Sequence, residues 1–419
     1  MNSHASARSG RDFCDWATVN RNVKTVLAVS AIFGMTAGIY DFILPYYLKE
    51  RGLSFQSMGL IFAIAAGGML GLRVVMGNLA DRWGRKLFYG MSLAGTAVAI
   101  GLTPTSGSVL GQGVLKTMRE AMSLTRDTLH PVILYEESRG QFMSFIGKTR
   151  GWEFMFQAVG TVISGLTLAR LHTGGNLLLA AGMTAVGFLV FWSLFRESWA
   201  PHQQMAKTTL RALTSFAIHR NLKIITISVF IFNVGMTTSH CFIMPLFFSE
   251  KFGVSRETVA WVMVGHRLTI AIPLLLVGTM TLRNLKGAYI VALILEGAIQ
   301  ASAALMPSFG WATGVWLLHD FLGAGVWIPV QNLIIQEYTR PENRALEVGK
   351  ILAFGGVGTI IGPFLAGYLS QRVNISAPYF VSGIGMILCV VPLFWLKLDA
   401  GLGREQLPVP EQARATQRG

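Results

Sequence analysis

Several ionisable side chains stand inside stretches that are otherwise apolar. Lys116, Arg119 and Glu120 occupy positions i, i+3 and i+4, so on a helix they share one face. Arg126 and Asp127 follow two turns on, and Arg150 and Glu153 belong to the next apolar stretch at similar depth. On antiparallel neighbouring helices, Arg126, Asp127, Arg150 and Glu153 are expected to pair with one another. Such a cluster serves either as a static salt bridge or as a proton relay. Tyr40-Asp41 lies one turn before Pro45 in another apolar run. A carboxyl there suits a proton carrier, or a structural hydrogen bond to a neighbouring helix. Charged groups in apolar stretches are costly and mark functional candidates.

The second half of the chain carries softer groups: His240-Cys241, Met244, His266 and His319-Asp320. Histidine, cysteine, methionine and aspartate together could handle a divalent transition metal such as iron. Alternatively they are scattered polar residues hydrogen-bonded between helices. Adjacent helical residues point about 100° apart, so His240 and Cys241 cannot aim inward equally. Gln331-Asn332 takes the place that Arg126-Asp127 holds in the first half, and is read as cavity-lining with Tyr40, Lys116 and Arg119.

The elements that must position these groups are membrane spans. The chain has 419 residues, 52% hydrophobic and 13% charged, with mean hydropathy +0.50. A soluble domain carries about 25% charged residues. About 20 apolar residues make a span, and twelve such stretches lie between residues 24 and 396. This gives an N-terminal arm (1–23), a six-helix bundle (24–195), a linker (196–221), a second six-helix bundle (222–396) and a tail (397–419). The first 22 residues lack an apolar core, and no cleaved leader is expected. Lys and Arg concentrate in the arm, tail, linker and alternate loops. The opposite loops hold Lys49, Arg51, Arg170, Lys251, Arg256 and Arg372. That bias places both termini in the cytoplasm. The net charge of +14 is mostly this topogenic bias, and no nucleic-acid partner is expected. The basic linker suits a short amphipathic helix on anionic lipid.

The halves repeat. Phe42-Ile-Leu-Pro45 returns as Phe242-Ile-Met-Pro245, Gly34-Met-Thr36 as Gly235-Met-Thr237, and Val159-Gly-Thr-Val-Ile163 as Val357-Gly-Thr-Ile-Ile361. Parallel repeats of six spans suggest two bundles rocking about a central site. Between the second and third spans stands Gly77-Asn-Leu-Ala-Asp81-Arg82-Trp-Gly84-Arg85-Lys86. This resembles the signature loop of the major facilitator superfamily. Gly84 would allow a tight turn, and Asp81 could meet the N-terminus of the eleventh span near Glu347. Arg82, Arg85 and Lys86 could pair with Glu136 and Glu137, latching the cytoplasmic side. The second half keeps Gly278, Arg283 and Lys286 of this loop but has Leu282 where Asp81 stands.

The resemblance implies an all-α integral membrane protein of the major facilitator fold. It implies a secondary transporter moving a small solute by alternating access, monomeric, with no cofactor, in a bacterial inner membrane. Thr125-Arg126-Asp127-Thr-Leu129 is similar to a signature of some bacterial exporters of that superfamily, which suggests proton coupling. The glycine-rich run with proline that drug antiporters carry in the fifth span is absent there. It has a counterpart at Gly358, Gly362-Pro363 and Gly367, which also reads as small-residue packing. The stretches 20–51 and 125–153 also resemble magnetosome-associated major-facilitator proteins, which would imply iron or iron-chelate transport in a magnetosome membrane. A membrane sensor or scaffold that kept the fold without transport is the third reading. No nucleophile elbow, P-loop or zincin signature is present, and an enzyme is not expected.

Overall fold

The computed structural model describes residues 19–137, 142–197, 217–276, 284–339 and 344–399. Regular structure among them is helical. The helices are α1 (Arg21–Glu50), α2 (Phe55–Trp83), α3 (Arg85–Leu102), α4 (Val109–Glu137) and α5 (Phe142–Leu194) in the first half. The second half holds α6 (Arg220–His240), α7 (Ile243–Phe252), α8 (Arg256–Leu276), α9 (Leu285–Leu305), α10 (Phe309–His319), α11 (Gly325–Tyr338), α12 (Arg344–Gly356), α13 (Gly358–Arg372) and α14 (Ala377–Leu388). The chain reverses within α5 at His172, whose φ of 54° is left-handed, so α5 makes two passes. Seven described helices are long and apolar enough to cross a membrane. The positions of the rest accord with twelve passes in two six-helix halves. Residues 198–216 of the linker, the distal arm and tail, and Gly278, Leu282 and Arg283 lie outside the described residues.

Each half closes on itself in the same way. Asn20 caps α1 by accepting the Asn22 N–H at 2.8 Å, and His219 Nδ1 accepts the Asn221 N–H at 3.2 Å at the start of α6. The Asn22 amide then donates to Arg196 O at 2.9 Å, and the Asn221 amide to Lys397 O at 2.6 Å. In both halves an asparagine in the first helix thus ties down the end of the last one. The repeat Val159-Gly160 and Val357-Gly358 is a packing repeat. Gly160 presses on the backbone of Met35 and Gly358 on that of Phe230 and Val234, so neither leaves room for a Cβ.

The apolar core shows how the halves meet. One cluster joins Leu44, Leu48 and Met58 of the first half to Phe242, Leu246, Phe248 and Trp316 of the second. It lies at the end opposite the termini. Tyr46 Oη donates across this seam to Pro245 O at 3.0 Å, and Lys49 pairs with Glu250 and Arg256 with Glu50. Towards the termini the core divides. One cluster gathers Val26, Phe33, Tyr89 and Phe191, and another gathers Leu222, Phe232, Tyr289 and Leu393. The described residues are therefore welded at the far end and separately cored at the terminal end.

Gly160→Val tests the close approach of α5 to α1. The added branch meets rigid backbone and should cost about 1–3 kcal/mol. Thermal denaturation in detergent reads it as a lowered midpoint, and an unchanged midpoint contradicts the packing.

Candidate functional site

The signature segment is mostly helix. α2 runs through Gly77, Asp81 and Arg82 to Trp83, and one residue, Gly84, makes the corner with φ of 103°. Only glycine adopts that conformation without strain, in agreement with the tight turn expected there. Lys86 donates its backbone N–H to Glu197 Oε2 at 2.7 Å, and its ammonium lies over the Trp192 ring. Arg85 is buried. Glu137, expected to meet the basic residues of this segment, accepts from the Asn20 and Asn22 amides at 2.7 Å each. The side chains of Asp81, Arg82 and Glu136 lie outside the described residues.

The structure brings Arg126, Asp127, Arg150 and Glu153 together. Arg126 is fully buried and donates to Asp127 Oδ1 at 2.8 Å and to Glu153 Oε1 at 3.0 Å. Arg150 reaches Glu153 Oε2 at 3.2 Å. The Arg126 guanidinium also stacks over Phe33, which holds it against α1. Desolvating a guanidinium this deeply is tolerable only because two carboxylates face it.

Nearer the far end lies a second group of charges. Lys116 and Arg119 both donate to Glu120 Oε1, at 2.8 and 2.7 Å. Their cations also cover aromatic faces: Arg119 is 4.5 Å from the Tyr40 ring centre and Lys116 is 4.1 Å from that of Phe62. Asp41 stands between the halves. Its Oδ1 is 3.5 Å from Arg119 of α4, and its Oδ2 is 4.0 Å from Arg267 of α8. Its side chain keeps 38% exposure against 8% for Arg119, so one side of it is open to solvent.

In the second half α6 breaks after His240, where Cys241 leaves helical geometry, whereas α1 continues unbroken through Asp41. A π-turn (Asp320–Ala324) follows His319. The two irregularities bring His240, His319 and Asp320 together with His266 of α8. Their donor atoms form two overlapping groups, His240–His266–His319 and Glu296–His319–Asp320. Cys241 belongs to neither. Gln331 accepts from Tyr289 Oη at 2.9 Å, packing within the second half. The Asn332 side chain lies outside the described residues. Sequence reasoning missed Arg267 and Glu296. Each is an ionisable residue inside an otherwise apolar stretch, the signal that singled out Asp41.

The Major Facilitator Superfamily family model matches residues 26–239 and 225–418. The chain belongs to that superfamily, as its sequence led us to expect. It is a multi-pass membrane transporter of small solutes rather than an enzyme. It is 26% identical over 388 residues to the putative niacin/nicotinamide transporter NiaP of Bacillus subtilis (strain 168), covering 85% of this chain and 90% of that protein. It is 21% identical over 413 residues to the uncharacterized MFS-type transporter YtbD of the same organism, covering 91% and 96%. Two solved structures share its fold. The nucleoside transporter NupG has a TM-score of 0.69 at 16% identity, covering 89% of this chain and 98% of its own. The human organic anion transporter MFSD10 has a TM-score of 0.65 at 15% identity, covering 90% and 99%.

The buried cluster makes a testable claim. Glu153→Ala deprives Arg126 of its deepest partner and should destabilise the protein by about 3 kcal/mol. Replacing both residues, Arg126→Met with Glu153→Leu, should recover most of that loss. Thermal midpoints of the single and double variants measure it; equal midpoints for Glu153→Ala and the parent contradict it.

Proposed function

We propose that the protein is a proton-coupled secondary transporter of a small organic solute, working by alternating access, with Asp41 as the proton-accepting group. The observation that carries this reading is the position of Asp41 between Arg119 of one half and Arg267 of the other, with one side open. Ionised, the carboxylate attracts a cation in each half. Protonated, it attracts neither, and the two halves lose an electrostatic tie at the depth where a solute would sit. Lys116, Arg119 and Arg267, with the faces of Tyr40 and Phe62, would receive a planar or anionic solute. Arg126, Asp127, Arg150 and Glu153 support the rigid first half in this reading. The intact Asp81 segment would close the terminal end when the far end opens.

The same reading puts the protein in a bacterial inner membrane as a monomer with both termini cytoplasmic, following the Lys/Arg bias. A magnetosome membrane is the alternative location, and iron or an iron chelate the alternative cargo. The similarity to a putative niacin/nicotinamide transporter and to a nucleoside transporter makes niacin, nicotinamide and nucleosides the first solutes to try.

Proteoliposomes loaded with a pH-sensitive dye decide among the readings. Adding a transported solute should move protons with it. Asp41→Asn should lower that coupled proton flux at least about ten-fold while leaving solute counterflow in place. Normal proton-driven accumulation by Asp41→Asn overturns the assignment. Iron uptake without proton movement would favour the metal cargo. No movement of any solute, together with no cellular effect of Asp81→Asn, would favour a sensor or scaffold.

A further inference from the structure

The imidazoles of the second half are arranged differently from hydrogen-bonded core histidines. His319 Nδ1 faces the Trp316 carbonyl, and a carbonyl can only accept, so that nitrogen carries the proton. His240 Nδ1 faces Ser239 Oγ at 2.8 Å and the Met236 carbonyl at 3.2 Å, which assigns its proton the same way. Both Nε2 atoms are then bare lone pairs, and they face each other at 3.1 Å. Two lone pairs at that distance repel unless a cation lies between them.

A third imidazole and a carboxylate complete the set. His266 Nε2 is 2.8 Å from Asp320 Oδ2, and His319 Nε2 is 3.5 Å from the same oxygen. His266 and Asp320 are buried, at 2% and 4% exposure. Yet His266 Nε2 and Asp320 Oδ2 are not aligned for a hydrogen bond with any partner, and Glu296 Oε2 beside them has none either. Buried polar atoms are nearly always satisfied. Here several that are not converge on one point.

We infer that His240, His266, His319 and Asp320 form a binding site for one divalent first-row transition-metal ion. A tetrahedral ion with bonds of about 2.0–2.1 Å sets its ligands about 3.3 Å apart. The contacts at 2.8, 3.1 and 3.5 Å straddle that spacing. The three histidine donor atoms lie within 4.8 Å of one another, so small side-chain rotations would close the site. Imidazole with carboxylate suits zinc, ferrous iron, cobalt or nickel better than magnesium or calcium. The carbonyls at Trp316 and Met236 act as outer-shell partners that hold the rings in the ligating tautomer. Trp316 stacks on His266 at 4.6 Å and shields one side, while the half-buried His240 leaves the other approachable. His266 adjoins Arg267, so a bound ion would also stiffen the turn of α8 that reaches Asp41. The site does not rest on the proton-coupling reading and stands or falls without it.

The experiment uses the full chain in detergent, stripped with chelator and then given Zn2+ or Co2+. Elemental analysis after desalting should find about one zinc per chain, and Co2+ should give the visible absorption of a low-symmetry nitrogen-ligated site. X-ray absorption at the zinc edge should show imidazole nitrogens in the first shell. His266→Gln and His319→Gln should each weaken binding at least about ten-fold, while Cys241→Ser should leave it unchanged. His240→Gln, at the half-buried edge, serves as the ligand variant if the buried ones fail to fold. The inference is overturned if the stripped protein takes up no more ion than the His240→Gln variant, or if the first shell lacks imidazole.

Discussion

A charge withdrawn from water must meet an opposite charge, and the arrangement of this molecule follows from that constraint. Arg126 shows it in its simplest form: a fully buried guanidinium with carboxylates on both α4 and α5. That pairing fixes the two helices against each other and against α1 through Phe33. Asp41 shows it in a form that can change. Its partners come from opposite halves, so under the proposed function its charge state would act on the relation between bundles rather than on the inside of one.

The two halves are built alike and used differently. Asn22 and Asn221 close their bundles by the same bond, and Gly160 and Gly358 permit the same close approach. At the point of equivalence, however, α1 is continuous and carries Asp41, while the chain between α6 and α7 opens at Cys241 beside His240. The first half offers carboxylates and guanidinium groups at its centre. The second offers imidazoles gathered by a helix break and a π-helical turn, irregularities that re-aim side chains toward one another.

Much of this was legible from residue types and spacing. The spans follow from apolar runs of bilayer length, and the pairing of Arg126, Asp127, Arg150 and Glu153 from antiparallel neighbours at matching depth. The turn at Gly84 follows from the signature segment. What stayed hidden depends on long-range approach. Nothing local says that Asp41 reaches Arg267, more than two hundred residues away. Residue types grouped His240, Cys241, Met244, His266, His319 and Asp320, but helical periodicity assumes that α6 continues past His240 and could not say which of them converge. The bond from Asn22 to Arg196 needs the whole first half folded before its two ends meet.

The central claim is that the charge on Asp41 ties the halves together. Gly107, just before α4, and Gly310, in the first turn of α10, lie at the far end of the two halves, each with open space around it. Cysteines placed there, with Cys14, Cys241 and Cys389 replaced by serine, can carry spin labels. Pulsed electron-spin distances should then lengthen or broaden in Asp41→Asn relative to the parent, as the far end becomes free to open. Identical distance distributions in both proteins would contradict the account.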